Sequence, residues 1–218
     1  MLKKGFTLIE LMAGMALGLI VVLAGTMLYT AIMSRNAQYL REALLGQDMD
    51  TAMLAMSRDI RRAGYDGAAA SSIGSRKFGL ALDPFVGAVS GTDYYPIDTR
   101  TAGCILFSYD LNKDGILQPA TEVFGFRLKN GVIQSRTGGS VMPSGCGDSS
   151  NVWSDLTDEK SEIITSLAFS LDQTSIDVEG RAINLRKVNI EMQGHLPEDP
   201  AVVKTLPASV RVRNDWIS

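Results

Sequence analysis

The chain has 218 residues, 45% of them hydrophobic, with 21 Lys and Arg against 24 Asp and Glu and a formal charge of -3. That length allows one membrane anchor and one domain of ordinary size. The mildly acidic balance calls for no nucleic-acid partner.

The first element is an apolar run. Lys3 and Lys4 precede Gly5-Phe6-Thr7-Leu8-Ile9-Glu10, and from Phe6 to Met33 the only ionisable side chain besides Tyr29 is Glu10. As a helix rising about 1.5 Å per residue, this run reaches roughly 42 Å, more than the ~30 Å hydrocarbon core of a bilayer requires. A basic flank before such a run marks the cytoplasmic side of a membrane anchor. The plainer alternative is a secretory signal, which has a shorter apolar region followed by a small-x-small cleavage site. Ala24-Gly25-Thr26 is the nearest such triplet, and it lies inside the apolar run. Glu10 is the unusual feature, because an acid in a membrane helix costs about a few kcal/mol unless it stays near the interface or meets a cation.

Lys3-Lys4-Gly5-Phe6-Thr7-Leu8-Ile9-Glu10 followed by an apolar helix resembles the class III signal of type IV prepilins and pseudopilins. The resemblance implies that residues 1–5 are a cytoplasmic leader, cut between Gly5 and Phe6 by a prepilin peptidase, and that Phe6 is then N-methylated. It also implies that Glu10 meets the new amine of a neighbouring subunit during assembly, and that the fold is α+β, a long helix packed on an antiparallel head. Loss of Lys3 and Lys4 leaves 19 basic against 24 acidic residues, a charge of -5. Cys104 and Cys146 then fall in the exported part, where an oxidising compartment favours pairing over two separate buried thiols. Such a bridge would close a loop of about 43 residues and contribute about 3 to 4 kcal/mol in the chain-entropy model.

Residues 6–33 are expected as the membrane and filament-core half of one helix, and residues 34–64 as its amphipathic half. In the second half Leu40, Leu44, Leu45, Met49, Ala52, Met53, Met56, Ile60 and Ala63 recur at three- and four-residue steps and predict one apolar face. No proline interrupts Phe6 to Gly64, Gly46 is the soft point, and Ala63-Gly64 is the stop. Ser57-Arg58-Asp59-Ile60-Arg61-Arg62-Ala63-Gly64-Tyr65 is similar to the end of the first helix in the PilW family of minor pilins. Its basic groups also suit a helix C-terminus.

Residues 65–103 are rich in Gly, Ala and Ser and read as a connecting region. The head is expected over 104–218. Strand patterns fall at Cys104–Tyr109, Val123–Leu128, Val132–Ser135, Ile163–Leu171, Ile183–Met192 and Ala208–Val212, with Asn130-Gly131 as a tight turn. The apolar phase switches between Leu185 and Val188, which predicts a bulge near Arg186-Lys187. Pro207 begins the last strand or marks it as an edge. Short connections predict one antiparallel sheet against the helix.

Asp110, Asn112 and Asp114 stand at positions 1, 3 and 5 of a loop, Gly115 at 6 and Ile116, through its carbonyl, at 7. Alternate oxygens around a tight glycine turn are what calcium asks of a loop. The closing acid expected at position 12 falls on Thr121, with Glu122 one place late, and an Asp/Asn/Gly hairpin turn is the competing reading. The PilW-like resemblance extends loosely through this loop and Phe124–Leu128.

No catalytic triad, zinc pattern or phosphate loop emerges, and the only histidine, His195, stands beside Leu196-Pro197. The resemblance implies a precursor in the inner membrane with its head in the periplasm, then a minor pilin in the fibre at the cell surface. There it would help start assembly in a tip or priming complex with other minor pilins and the major pilin, in systems serving adhesion and twitching motility. A minor pseudopilin of a type II secretion system is the alternative within the fold. A different class, a pilus-borne adhesin or DNA-binding head, draws on Arg181, Arg186, Lys187, Arg211 and Arg213, but acids intervene and no aromatic run accompanies them.

Overall fold

The computed structural model describes residues 5, 7–65, 67, 80–81, 94–95, 97–115, 118–138, 146–147, 152–214 and 216–217. The chain divides into two compact units, Met1–Leu44 and Leu45–Ser218. One helix, α1 (Leu8–Ile60), runs through the boundary. In the first unit its apolar side chains from Leu8 to Met33 are exposed, and this is the one helix among the described residues long and apolar enough to cross a membrane. Lipid, rather than protein, is the medium that such a surface fits.

In the second unit the helix becomes one wall of a core. Leu45, Met49, Ala52, Met53, Met56 and Ile60 are buried. Leu40 and Leu44, read from the sequence as part of the same stripe, are exposed instead, as is Leu54. The geometry explains it, since neighbouring helix positions diverge by about 100° and Leu44 turns outward when Leu45 turns in. The helix stops as its sequence suggests: Gly64, the last residue of a turn at 61–64, takes φ +74°.

Three small or paired strands come first: β1 (Leu80–Ala81) pairs with β2 (Tyr94–Tyr95), and β3 (Ile97–Asp98) leads into the first large sheet. That sheet continues with β4 (Cys104–Ser108), β5 (Val123–Lys129), β6 (Val132–Thr137) and β7 (Trp153–Asp155). Its order is β3-β4-β5-β6-β7, every pairing antiparallel. Asn130 and Gly131, at φ +53° and +80°, make the predicted tight turn between β5 and β6. A short helix, α2 (Pro119–Glu122), sits before β5 and carries no apolar period by which it could be read from sequence.

The second sheet contains β8 (Ile163–Val178), β9 (Arg181–Leu196), β10 (Asp199–Arg211) and β11 (Trp216–Ile217). β9 pairs antiparallel with the other three, so among the described residues the strands expected in one head sheet divide between two. Pro207 does lie in an edge strand, one that begins eight residues before it. The predicted bulge at Arg186-Lys187 is absent. The β8–β9 register runs unbroken from Ser166 opposite Gln193 to Val178 opposite Arg181, and the only shift lies between Ile164 and Ser166. The phase switch has another cause: residues 172–180 are exposed on both faces, so the far end of the ribbon has no inner face to hold the phase.

The core joins these layers. Met49, Met56 and Ile60 of α1 share one buried cluster with Ile105, Phe107, Phe126 and Ile133 of the first sheet and Val188, Ile190 and Met192 of the second.

Candidate functional site

At the start of the chain the geometry is that of a helix cap. Thr7 is the residue before α1, and Glu10 is its third residue. The Thr7 N–H and hydroxyl both donate to Glu10 Oε2 at 3.0 Å, and the Glu10 N–H donates back to Thr7 Oγ1 at 3.4 Å. This reciprocal arrangement is a capping box, which satisfies two orphan donors of a helix N-terminus. The pattern Thr-x-x-Glu before an apolar run was available in the sequence, and it gives Glu10 a partner within its own chain. Gly5 is exposed. Phe6 lies outside the described residues, and with it the Gly5–Phe6 bond expected to be cut.

At the other end of α1 a second constellation forms. The Gly64 N–H donates to the Ser108 carbonyl at 2.8 Å, and the Asp110 N–H to the Tyr65 carbonyl at 2.9 Å. Asn214 Nδ2 donates to the carbonyls of Arg62 and Ala63 at 3.2 and 3.1 Å, supplying two of the acceptors' partners that a helix end leaves open. The Arg62 guanidinium lies 4.1 Å over the Tyr109 ring, which stacks at 3.9 Å on Phe124. Arg58-to-Tyr65, notable in the sequence for its resemblance, is therefore where the helix is tied to both sheets.

The Asp110 loop continues from that seam. Asp110 is 1% exposed, and its carboxylate accepts the N–H groups of Lys113 (2.6 Å), Gly67 (2.9 Å) and Gly115 (3.0 Å). Glu122, equally buried, accepts from Leu111 (2.9 Å), Asn112 (3.4 Å) and Gln118 (2.7 Å). Asn112 accepts from the Asp114 N–H, and Asp114 accepts from the side-chain amides of Asn112 and Gln118. The two carboxylates thus organise backbone donors from both sides of the loop. Gly115 takes φ +74°, the conformation its place in the spacing asks for. Ile116 lies outside the described residues. Among the described residues no group of three or more His, Cys, Asp or Glu side chains is arranged to hold a metal.

Cys104 and Cys146 are bonded, with Cα atoms 6.1 Å apart. Arg127 donates to the Cys146 carbonyl at 2.7 Å and lies 4.2 Å over the Trp153 ring, so a stacked pair covers the bridge. Two of the five basic residues that motivated a DNA-binding head lie on opposite faces of one strand. Arg186 is buried and donates to the Asn214 carbonyl, whereas Lys187, its neighbour on the opposite side of β9, pairs with Asp172 at 3.3 Å. His195 is half-buried, with Nδ1 2.8 Å from the Leu196 carbonyl.

Compared with known families, the chain matches the family described as prepilin peptidase-dependent protein B over residues 38–212. The prokaryotic N-terminal methylation motif matches residues 1–26. No curated protein matches the chain, and no solved structure matches it.

Proposed function

The chain belongs to the prepilin peptidase-dependent protein B family, and from that premise we propose that it is a PilW-like minor pilin that helps to start type IV pilus assembly. It carries the N-terminal methylation motif. In this reading prepilin peptidase cuts between Gly5 and Phe6 on the cytoplasmic face of the inner membrane, and Phe6 is methylated. The head stands in the periplasm until the subunit joins other minor pilins and the major pilin in a priming complex at the fibre tip. The observation that carries it is the unbroken α1: one rod supplies the apolar surface next to the cleavage motif and, from Leu45 on, the buried wall of the head. Such a rod moves from lipid into a bundle of like rods without losing backbone hydrogen bonds. Glu10 then exchanges its own Thr7 for the methylated amine of a neighbour.

Intact mass of the exported protein tests the processing: residues 1–5 should be missing and one methyl group gained, and a full-length mass would refute it. Crosslinking in the native envelope, followed by identification of the companions, tests the assembly. Pilus subunits support the priming role, and secretion-system pseudopilins would replace it with the type II reading.

For the Asp110 loop the hydrogen bonds support a turn that ties the helix end to the sheets. Calcium on Asp110, Asn112, Asp114, the Ile116 carbonyl and Glu122 is the second reading, favoured by the alternate spacing and by the left-handed Gly115. Melting with and without calcium separates the two.

A further inference from the structure

The end of α1 is closed from far along the chain. A helix leaves its last carbonyls without partners of its own. Here the Arg61 carbonyl accepts the Arg213 N–H at 3.2 Å, and the carbonyls of Arg62 and Ala63 accept the Asn214 side-chain amide, 152 and 151 positions later. The Arg62 carbonyl also takes the Tyr65 N–H at 3.0 Å, so the helix holds part of this end by itself. The segment that supplies the other donors is fixed in turn by β9. The Val212 N–H donates to the Arg186 carbonyl at 3.0 Å, the Val212 side chain is buried in the core, and the buried Arg186 guanidinium donates to the Asn214 carbonyl. Asn214 thus bridges β9 and α1: its carbonyl faces a guanidinium, and its amide faces the partly negative end of the helix.

From this arrangement we propose that Val212–Asn214 form a strap that makes closure of α1 conditional on the second sheet. The donors follow β10 and are positioned by β9, so they are in place only when those two strands have paired. The first sheet cannot substitute, because its bonds through Ser108 and Asp110 hold Gly64 and Tyr65, beyond the carbonyls that the strap takes. A head whose second sheet has not formed therefore keeps an open helix end at Arg61 and Arg62, two exposed basic residues. Closed, the peptide bonds after these residues are held between helix and strap. Open, they are substrates for a protease that cuts after basic residues, so the strap separates finished heads from unfinished ones.

The size of the effect follows from the bonds lost. Removing two hydrogen bonds of ordinary net strength raises the open population about 30-fold. Cleavage tracks that population when reclosing outpaces cutting.

The experiment digests full-length protein in detergent with trypsin and identifies the cuts by mass, for wild type, Asn214→Ala, Val210→Ala and Gly125→Ala. Asn214→Ala removes the strap's amide. Val210→Ala loosens β10 where it faces Val188 of β9, and Gly125→Ala forces β4 from β5 in the first sheet. The quantity read is cutting after Arg61 and Arg62 relative to cutting after Lys129, an exposed site at the end of β5. This ratio should rise about 30-fold in Asn214→Ala, rise in Val210→Ala and stay at the wild-type value in Gly125→Ala. An unchanged ratio in either of the first two, or an equal rise in the third, would overturn the strap. Hydrogen exchange of wild type gives a second readout: the Arg213 amide, although on an exposed residue, should exchange as slowly as the amides of β10. Exchange at the rate of an open chain would overturn the proposal, and this measurement decides alone if Asn214→Ala does not fold.

Discussion

Asp110→Ala is the sharpest probe of the loop at the end of α1. The substitution removes an acceptor of three backbone N–H groups, of which the one on Gly115 is buried and those on Lys113 and Gly67 belong to exposed residues. Stranding a buried donor costs about 1 to 3 kcal/mol, and two donors that water can reach cost about 0.5 to 1 kcal/mol each. The sum is about 2 to 5 kcal/mol, which for a head of this size lowers Tm by roughly 5 to 15 °C. Asp110→Asn keeps one acceptor oxygen and should lose about half of that. The assay is thermal unfolding of full-length protein in detergent, followed by near-ultraviolet circular dichroism, in calcium and in chelator. A purely structural turn predicts the same drop in both solutions. If wild type melts higher in calcium and the difference vanishes in Asp110→Ala, the loop binds the ion and the hydrogen bonds of Asp110 are only its resting arrangement. An Asp110→Ala protein as stable as wild type in both solutions would refute the reasoning, since burial and three acceptor contacts would then count for nothing.

Reducing the Cys104–Cys146 bridge, whose cysteines are 42 residues apart, should cost about 4 kcal/mol by chain entropy, read as a lower urea midpoint in the presence of a reductant. An unchanged midpoint would mean that the reduced chain keeps the loop closed. Gly125→Ala places a methyl group 2.6 Å from the Ile105 carbonyl in the neighbouring strand, so β4 and β5 must separate, and a loss of about 1 to 3 kcal/mol in the same assay is expected.

How far sequence reached into this fold depended on where one face was buried. The core stripe from Leu45 to Ile60 was legible because burial imposed a helical period on it, and β4 and β5 were legible as short runs of β-branched and aromatic residues buried on both faces. Asn130-Gly131 was legible because few residues accept φ above zero at two successive positions. Where burial lapsed, periodicity misled. Ile183 and Leu185, both half-buried, took the opposite phase to Val188 where the facing residues 172–178 of β8 are exposed on both sides, and what reads as a bulge is a change of environment. The Asp110 loop shows a different limit. Its spacing identified the residues that come together, but side-chain oxygens that would ligate a cation are the same ones that accept amides in a tight turn, and only geometry shows where they point. Glu162 carried no signal at all, since nothing local marks an acid that will be buried.

Glu10 closes a helix cap and is proposed to serve assembly as well, and one substitution separates the observed role from the proposed one. As the third residue of α1 it closes a capping box with Thr7. Glutamine closes the same box, since only an acceptor oxygen is needed there. Pairing with a neighbour's methylated amine, in contrast, uses the charge, which glutamine lacks. Glu10→Gln should therefore insert, be processed at Gly5 and fold normally, yet enter fibres at well below the wild-type level. Thr7→Ala should show the converse, a helix start weakened by about 1 kcal/mol while the charge is kept. The measurement is the amount of each variant in sheared fibres relative to the membrane pool. If Glu10→Gln enters fibres as wild type does and Thr7→Ala does not, the carboxylate serves the helix and not the assembly, and the register of the fibre must be set by the apolar surface of the rod alone.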